Sequence, residues 1–541
     1  LIKLEDNHVD NSDSLRQDGI GVTIREMLAR NARMYANDIA LVQVTPSQNK
    51  RQVINWKEFD EKANKVSDFL VSRGIRKDDK ILLMMRNCID FLVAYFGILG
   101  TGAWVVPLNF RFDSQDIKFC AHIAEPKYFI LEEEFVERVE SVRSELHSIE
   151  GYIVAGQTVP QHMEGLEKEI QNCSATMRGI ELKDEDACAL YFTSGTTGTP
   201  KPIIITHKNL EHAAISSAFR RNDRHDDISL VIGPLYHTGA MIHWLGNLIV
   251  GGRGVLLIDR KISPHNMLDT INKESITEMM VYVPWILDLL LALEKGELRK
   301  EDYNLSQLRL MHLGAQAVPF NIVERWKKHF PDVAYIETYG LSETTGPGCI
   351  WIVGIEKKKG LLGRPGFNWE ARVVNEQEKD VVPGEIGEII VKGNGVMKEY
   401  YKNPQETAKA LKNGWLYTGD LGKVDDEGLL YIADRKKDVI ISGGENIFPA
   451  DVESVILNHP KVYDAALIGV PDDRLGELAI AVVAPKPGLA ITEDEMREFS
   501  EKNLPRYRRP RGFVFDEVPR SNTGKIQRYT LREKCRKILE K

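Results

Sequence analysis

A large α/β domain of helix-covered sheets carrying a small β-barrel-like subdomain, followed by a small α+β domain, is the fold class that the sequence predicts. Three observations lead there. At 541 residues the chain exceeds what a single hydrophobic core organises, so at least two domains are expected. From Ile39 to Leu131, short apolar runs alternate with helix-length segments, the pattern of strands buried on both faces by helices. Past Trp369 the pattern changes to glycine-punctuated strands and then to a mixed helix and strand unit that runs to the C-terminal end.

Each element follows from its residues. The first residues form a polar arm, and an amphipathic helix opens near Thr23 with Ile24, Met27 and Leu28 on one face. Ile39–Val44 and Gln52–Trp56 read as paired strands joined by a polar turn from Thr45 to Lys50, and a helix over Trp56–Ser72 stops at Gly74. Lys80–Met85 is a short apolar strand. The uncharged run Phe91–Phe110 is long enough to cross a bilayer, but Gly97, Gly100, Gly102 and Pro107 interrupt it. It therefore predicts a buried helix and then a strand at Val105–Val106. Gly363–Gly366 and Gly384–Gly387 punctuate the β-rich stretch Trp369–Lys392, which predicts the barrel-like subdomain. A helix over Pro449–Leu457 and strands at Asp464–Val470, Leu478–Ala484 and Gly512–Phe515 predict the compact α+β unit.

Composition excludes several classes. A net charge of -8 argues against a general nucleic-acid binder. The six cysteines, Cys88, Cys120, Cys173, Cys188, Cys349 and Cys535, include no C-x-x-C pair, which points to reduced thiols and a cytoplasmic location rather than disulfides or a zinc site. Leu1–Asn7 lacks the apolar core of a signal peptide, and no transmembrane segment is expected.

Chemistry concentrates after the apolar run Ala187–Phe192. The nine residues Thr193, Ser194, Gly195, Thr196, Thr197, Gly198, Thr199, Pro200 and Lys201 hold five hydroxyls, two glycines and a lysine. Such a loop supplies backbone and side-chain donors plus a point charge, a composition suited to a polyphosphate, although a plain hairpin turn would also use it. It is not a Walker A loop, because Pro200 precedes the lysine and Ile203–Ile205 continues as a strand.

In residue order, this loop resembles the signature of the adenylate-forming superfamily: acyl-CoA ligases, adenylation domains and beetle luciferases. The resemblance implies that the loop holds the β- and γ-phosphates of ATP. Later motifs extend it. Tyr339-Gly340-Leu341-Ser342-Glu343 matches a Y-G-x-S/T-E motif, implying that Tyr339 stacks on adenine, Ser342 donates to the α-phosphate and Glu343 binds Mg²⁺. Glu337 and Thr338 just before it belong to the same nucleotide region, with Glu337 standing where Gln or Asn is expected. Gly314-Ala315-Gln316-Ala317 replaces the usual G-G-A-P turn, implying backbone contacts to adenine. Asp420 in Tyr417–Asp420 matches the ribose ligand, and Arg435 would also contact the ribose. The P-L-x-H pattern Pro234–His237 places His237 at the substrate carboxylate, with Tyr236, Thr238, Trp244 and Gly340 as pocket wall. No Asp adjoins His237, which argues against an amino-acid ammonium and for an uncharged tail.

The resemblance sets the domains at 1–434 and 435–541, with Lys437 as hinge of a mobile C-terminal domain. Gly443, Gly444 and Glu445 resemble the loop lining the pantetheine channel, and Pro505–Arg511 is either a solvated basic turn or a contact for the CoA phosphates. P-R-x-x-x-G-K at Pro519–Lys525 is the family's catalytic lysine motif, so Lys525 would be the mobile cation. The activity implied is an AMP-forming acyl-CoA ligase acting on a medium-chain, alicyclic or aromatic acid, with ATP, Mg²⁺ and CoA. Loading of a carrier protein, luciferase-like oxidation and a degenerate nucleotide-binding scaffold are the alternatives. Self-association into a homodimer stays open.

Overall fold

The computed structural model describes residues 23–193, 200–314, 320–352, 358, 360–520 and 525–539. Its first sheet has eight strands. The strands Lys80–Met84, Trp104–Pro107, Tyr128–Glu132 and Gly151–Ala155 run parallel, and Ala187–Thr193 joins them before turning back as Lys201–Thr206. Parallel pairing needs helical crossovers and burial on both faces. Ile81 and Leu83 accordingly enter one core while Leu82 and Met84 enter another, all four fully buried. Helix Ile89–Leu99 is capped by the Cys88 side chain and is buried throughout except at Asp90, ending at Gly100 before the strand Trp104–Pro107. The expected helix-then-strand reading of the uncharged run therefore holds. No helix among the described residues is long and apolar enough to cross a membrane.

The helix Trp56–Ser72 has the expected bounds for a local reason. Asn55 and Glu58 form a reciprocal capping box at its start, and Gly74 follows its end with φ at 84°. The helix Ile24–Met34 starts in the same way, with Thr23 and Glu26, and buries Ile24, Met27 and Leu28.

The second sheet has fourteen strands. Its parallel centre runs Ile39–Thr45, Arg253–Leu257, Ile228–Val231, Glu278–Val281, Leu310–Leu313 and Ala334–Leu341. It then continues antiparallel through Gly346–Ile352, Leu361–Pro365, Leu430–Arg435, Trp415–Val424, Gly387–Lys392 and Glu370–Val374. The β-rich stretch around Trp369 is thus hydrogen-bonded edge to edge with the parallel sheet, a continuity that strand patterning does not reveal.

The C-terminal domain is built on a separate five-stranded sheet. Val462–Asp472 and Gly476–Pro485 form a long hairpin, Gly512–Phe515 pairs beside it, and Ile440–Ser442 and Glu445–Ile447 complete the sheet. Strand alternation feeds two cores. Leu467, Ala479 and Ala481 face Val452, Ile456 and Met496, whereas Ala466, Ile468 and Ile480 face Leu531 and Cys535. At the junction, Ala450 N donates to Asp434 Oδ2 at 2.8 Å and Arg532 pairs with Asp438 at 3.1 Å.

A buried charge cluster fastens helix His207–Arg221 to the second sheet. Arg221 Nη1 donates to both carboxylate oxygens of Glu278 at 3.0 and 2.9 Å, and Nη2 pairs with Asp223 and donates to the His243 carbonyl at 2.8 Å. All three charged side chains are fully buried. Burial, ahead of the opposing pull of Arg221, raises the Asp223 carboxyl above the usual carboxylate range. Removing one partner from such a cluster leaves a charge unpaired in a low-dielectric interior. Arg221→Ala is therefore expected to cost about 3–5 kcal/mol, seen as a lower urea midpoint with little change in slope. A loss below about 1 kcal/mol would show that the cluster does not hold the helix in place.

Candidate active site

The site forms where the parallel sheet gives way to antiparallel strands. Ala334–Leu341 delivers Tyr339 and then turns through a short 3₁₀ helix, Ser342–Thr344. The Thr344 hydroxyl accepts from Leu341 N at 2.8 Å, Thr345 adopts φ 55°, and the Thr345 hydroxyl donates to the Gly395 carbonyl at 2.7 Å. This turn aims Glu343 sideways, where its Oε1 accepts from the Tyr400 hydroxyl at 3.0 Å.

Asp420 joins the parts. It is 1% exposed, and its Oδ2 accepts from the Tyr339 hydroxyl at 2.6 Å. Oδ1 lies 2.9 Å from Arg435 Nε but off the line of a hydrogen bond, so this buried oxygen keeps an unfilled acceptor position among the described residues. Asp420 and Arg435 are direct cross-strand partners, which fixes the pair without long side-chain searching. The Asp420 charge, against burial, raises the Arg435 guanidinium, while burial and the same carboxylate raise the Tyr339 phenol.

Lys525 reaches the same cleft from the C-terminal domain. Burial pushes its ammonium down to about 8, Arg435 adds to this, and Asp420 and Glu343 oppose it. His237 caps the start of helix Thr238–Val250 with its backbone, and burial followed by the nearby Lys525 charge pushes its imidazole down to about 4. The ring is neutral at pH 7, and its buried Nδ1 has no hydrogen-bond partner among the described residues. An orphaned polar nitrogen beside a lysine is a place prepared for an external polar group.

The loop Ser194, Gly195, Thr196, Thr197, Gly198 and Thr199, together with Ala315 and Gln316, lies outside the described residues. Its flanks are clear. Thr193 and Lys201 are paired across the hairpin, and the Thr193 hydroxyl donates to the Lys201 carbonyl at 3.1 Å. Lys201 Nζ is held by Glu406 Oε2 at 2.6 Å and lies 5.5 Å from the Tyr400 ring centroid. Tyr400 and Glu406 were missed in the sequence reading. Tyr400 connects Lys201 to Glu343, and its only local signal was an aromatic pair before Asn403–Pro404.

Several expectations are corrected. Trp244 is not pocket wall. Two helical turns, about 10 Å, separate it from His237, and it packs on Phe96 at 5.7 Å and Phe59 at 6.2 Å inside the core. The Thr338 side chain turns away from the nucleotide face, with its hydroxyl 2.8 Å from His312 Nε2, because strand alternation puts Glu337 and Tyr339 on one face and Thr338 on the other. Glu337 accepts from Tyr335 at 2.6 Å, which supplies the donor its unexpected carboxylate needs. Gly340 serves close strand approach, since a Cβ there would come within 2.3 Å of the Gly346 carbonyl oxygen. Gly314 is buried at the end of its strand. Ser342 is half-buried beside Glu343. Tyr236 stands beside His237, with ring centroids 6.5 Å apart, and meets Phe110 edge to face at 5.5 Å.

In the C-terminal domain, Gly443 and Gly444, at φ 61° and 83°, form a two-residue turn between strands paired at Ser442 and Glu445. Positive φ at both positions is the type I′ requirement, met at no cost by glycine. Gly444 and Glu445 at the tip are exposed. The basic turn Arg506–Arg508 packs beside the strand Glu445–Ile447, with Arg508 bound to Asp451 at 3.0 Å. Lys437 is exposed to solvent at the junction, and partial desolvation, ahead of the pull of Asp438, lowers its ammonium to about 8.

These features define an adenylate-forming enzyme, and comparison with known families agrees. The AMP-binding enzyme family matches residues 28–401 and its C-terminal domain matches residues 451–525, so the chain belongs to this family. Among curated relatives, it is 30% identical over 520 residues to the long-chain-fatty-acid–CoA ligase FadD13 of Mycobacterium tuberculosis, covering 95% of this chain and 98% of that one. It is 32% identical over 494 residues to a 2-succinylbenzoate–CoA ligase of Bacillus cereus, covering 90% and 95%. Among solved structures, the anthranilate CoA ligase AuaEII in complex with anthranoyl-AMP superimposes with a TM-score of 0.84 at 26% identity, covering 95% and 97%.

Proposed function

We infer that the protein is an AMP-forming acyl-CoA ligase, which converts ATP, a carboxylic acid and CoA into acyl-CoA, AMP and pyrophosphate through an acyl adenylate. The observation that carries the residue roles is the convergence of Lys525, Arg435, Asp420, Glu343 and His237 on one cleft. A carboxylate attacking the α-phosphate of ATP brings two anions together, so catalysis consists of supplying positive charge where negative charge accumulates.

Lys525 supplies that charge at the reacting phosphate, and Lys201 with the Thr193–Lys201 loop holds the leaving pyrophosphate. Asp420, through its unfilled Oδ1 position, receives a ribose hydroxyl, with Arg435 beside it. Tyr339 packs against adenine. The neutral His237 orients the acid's carboxylate with its free ring nitrogen. Among the described residues no group of three His, Cys, Asp or Glu suits a metal, so Mg²⁺ would rest on Glu343 and take its remaining ligands from phosphate and water. That ion would neutralise phosphate charge.

CoA thiolysis calls for the Gly443–Gly444 turn at the acyl carbon, whereas here the turn is exposed to solvent and Lys525 is the group from the C-terminal domain that acts on Asp420 and Glu343. We place the domain boundary at 434/435 and the pivot at Lys437, where a rotation exchanges the two surfaces. The acid is of medium size. Tyr236, Phe110 and Pro347 favour an aromatic or alicyclic body, in keeping with the relatives whose names specify 2-succinylbenzoate and anthranilate.

Lys525→Ala is expected to lower acid-dependent pyrophosphate exchange by about 100-fold or more while leaving thiolysis of supplied acyl-AMP largely intact. Equal loss in both half-reactions would overturn the assignment. The pH dependence follows from the depressed lysine. The cation needed for adenylation is present below about 8 and is lost as pH rises through that value, well before an ordinary lysine would deprotonate. The kcat/KM for adenylation should fall above pH 8, and Lys525→Arg should abolish that limb at lower activity. A profile flat to pH 10 would contradict it.

A further inference from the structure

Next to the Arg221 cluster lies a second arginine with no such partners. Arg220 is 5% exposed, and its Nη2 donates to Ser217 Oγ at 3.2 Å, but Nε and Nη1 are buried with no acceptor among the described residues. Glu278 is bound to Arg221 and Asp227 to Arg309, while Asp223 gives one oxygen to Arg221 and keeps the other unfilled among the described residues; Asp223 and Glu278 reach Arg220 through space, without a direct hydrogen bond. Leaving a guanidinium buried and unpaired costs several kcal/mol, so a fold that keeps one has a reason to.

Position supplies the reason. A Cβ on Gly348 would stand 2.3 Å from Arg220 Nη1, so only glycine lets the guanidinium reach this strand. Gly348 is the third residue of Gly346–Ile352, whose start runs along the first turn of helix Thr238–Val250. A Cβ on Gly346 would meet the Thr238 carbonyl oxygen at 3.2 Å, and one on Gly239 would meet Pro347 Cδ at 3.7 Å and His237 Nδ1 at 3.8 Å. From Gly346 to Gly348 is about 7 Å of strand, so the line that begins at His237 ends on Arg220. His312 and His243 share that end, with their Nδ1 atoms 3.3 Å apart. An imidazole supplies no anion, and burial holds both of these neutral, so they neither pair with Arg220 nor add a second cation beside it.

We propose that Arg220 forms the floor of the acyl pocket and binds a second carboxylate at the far end of the acid, making the preferred substrate a compact dicarboxylic acid. This rests on the acid–CoA ligase reading. It replaces the expectation of an uncharged tail, which considered only residues adjoining His237. The missing Asp there excludes an ammonium, not an anion.

The test uses the full-length enzyme and AMP release. Isophthalic, terephthalic and pimelic acids are compared with the matched monoacids m-toluic, p-toluic and heptanoic acid, in wild type, Arg220→Met and Arg220→Lys. Wild type should favour at least one diacid over its partner by about 10-fold or more in kcat/KM. Arg220→Met should lose about 100-fold on that diacid through KM, with kcat and the monoacid little changed, and Arg220→Lys should recover part of the loss. If Arg220→Met fails to fold, Arg220→Lys carries the test alone, with KM rising for the diacid only. A wild-type preference for every monoacid, or equal losses on diacid and monoacid in the folded variants, would overturn the proposal and leave Arg220 a structural residue. Absence of AMP release with any acid from a wide panel would instead refute the ligase reading itself.

Discussion

One buried carboxylate holds the site together. Asp420 takes the Tyr339 hydroxyl on one oxygen and stands against Arg435 on the other. Tyr339 closes the parallel part of the large sheet, and Arg435 is the last residue of the strand that leads into the C-terminal domain. An isolated charge buried this deeply would be prohibitive, so each partner is necessary to the others. The strand register makes them meet, since Asp420 and Arg435 face each other across an antiparallel pair. The same contact that joins Tyr339 to the proposed nucleotide site also anchors the last strand before the junction.

Around this pair, the cleft alternates charges without pairing all of them fully. Lys525 and Arg435 sit among Asp420 and Glu343, and Lys201 sits against Glu406. The depressed Lys525 reports a cleft with more desolvation than compensation. Such a site gains more from an incoming polyanion than an exposed one would, because the electrostatic terms act at low effective dielectric. The neutral His237 fits this economy of charge, since a second cation beside Lys525 would add repulsion.

Local features of the fold were legible where one residue type had one physical use. Gly74 marked the end of a helix whose start the structure shows capped by Asn55 and Glu58, and glycines within an apolar run identified a buried helix and strand rather than a membrane span. Motif residues such as Glu343, Asp420 and Lys525 could be named individually. Their meeting could not be read, because Tyr339 and Asp420 are separated by 81 positions and joined only by sheet topology. Facing was the common error. Trp244 and Thr338 lie close in sequence to site residues, yet displacement along the helix axis carries Trp244 into the core and strand alternation turns Thr338 to the other face. Arg220 gave no signal at all, since one arginine of a helical pair looks like the other until their partners are known.

The ion pair between Lys201 and Glu406 has a consequence for the resting enzyme. Lys201, which follows the hydroxyl-rich loop proposed to take the phosphates, is already satisfied by a carboxylate of the same chain, and Tyr400 ties that arrangement to Glu343. On the proposed role of this loop, a polyphosphate would have to displace an internal competitor before using this charge, and part of its binding energy would be returned as separation of the pair. A lone inorganic phosphate, with fewer contacts to set against that exchange, would on that reading be at a disadvantage, so the ion pair would act as a filter between anions of different size.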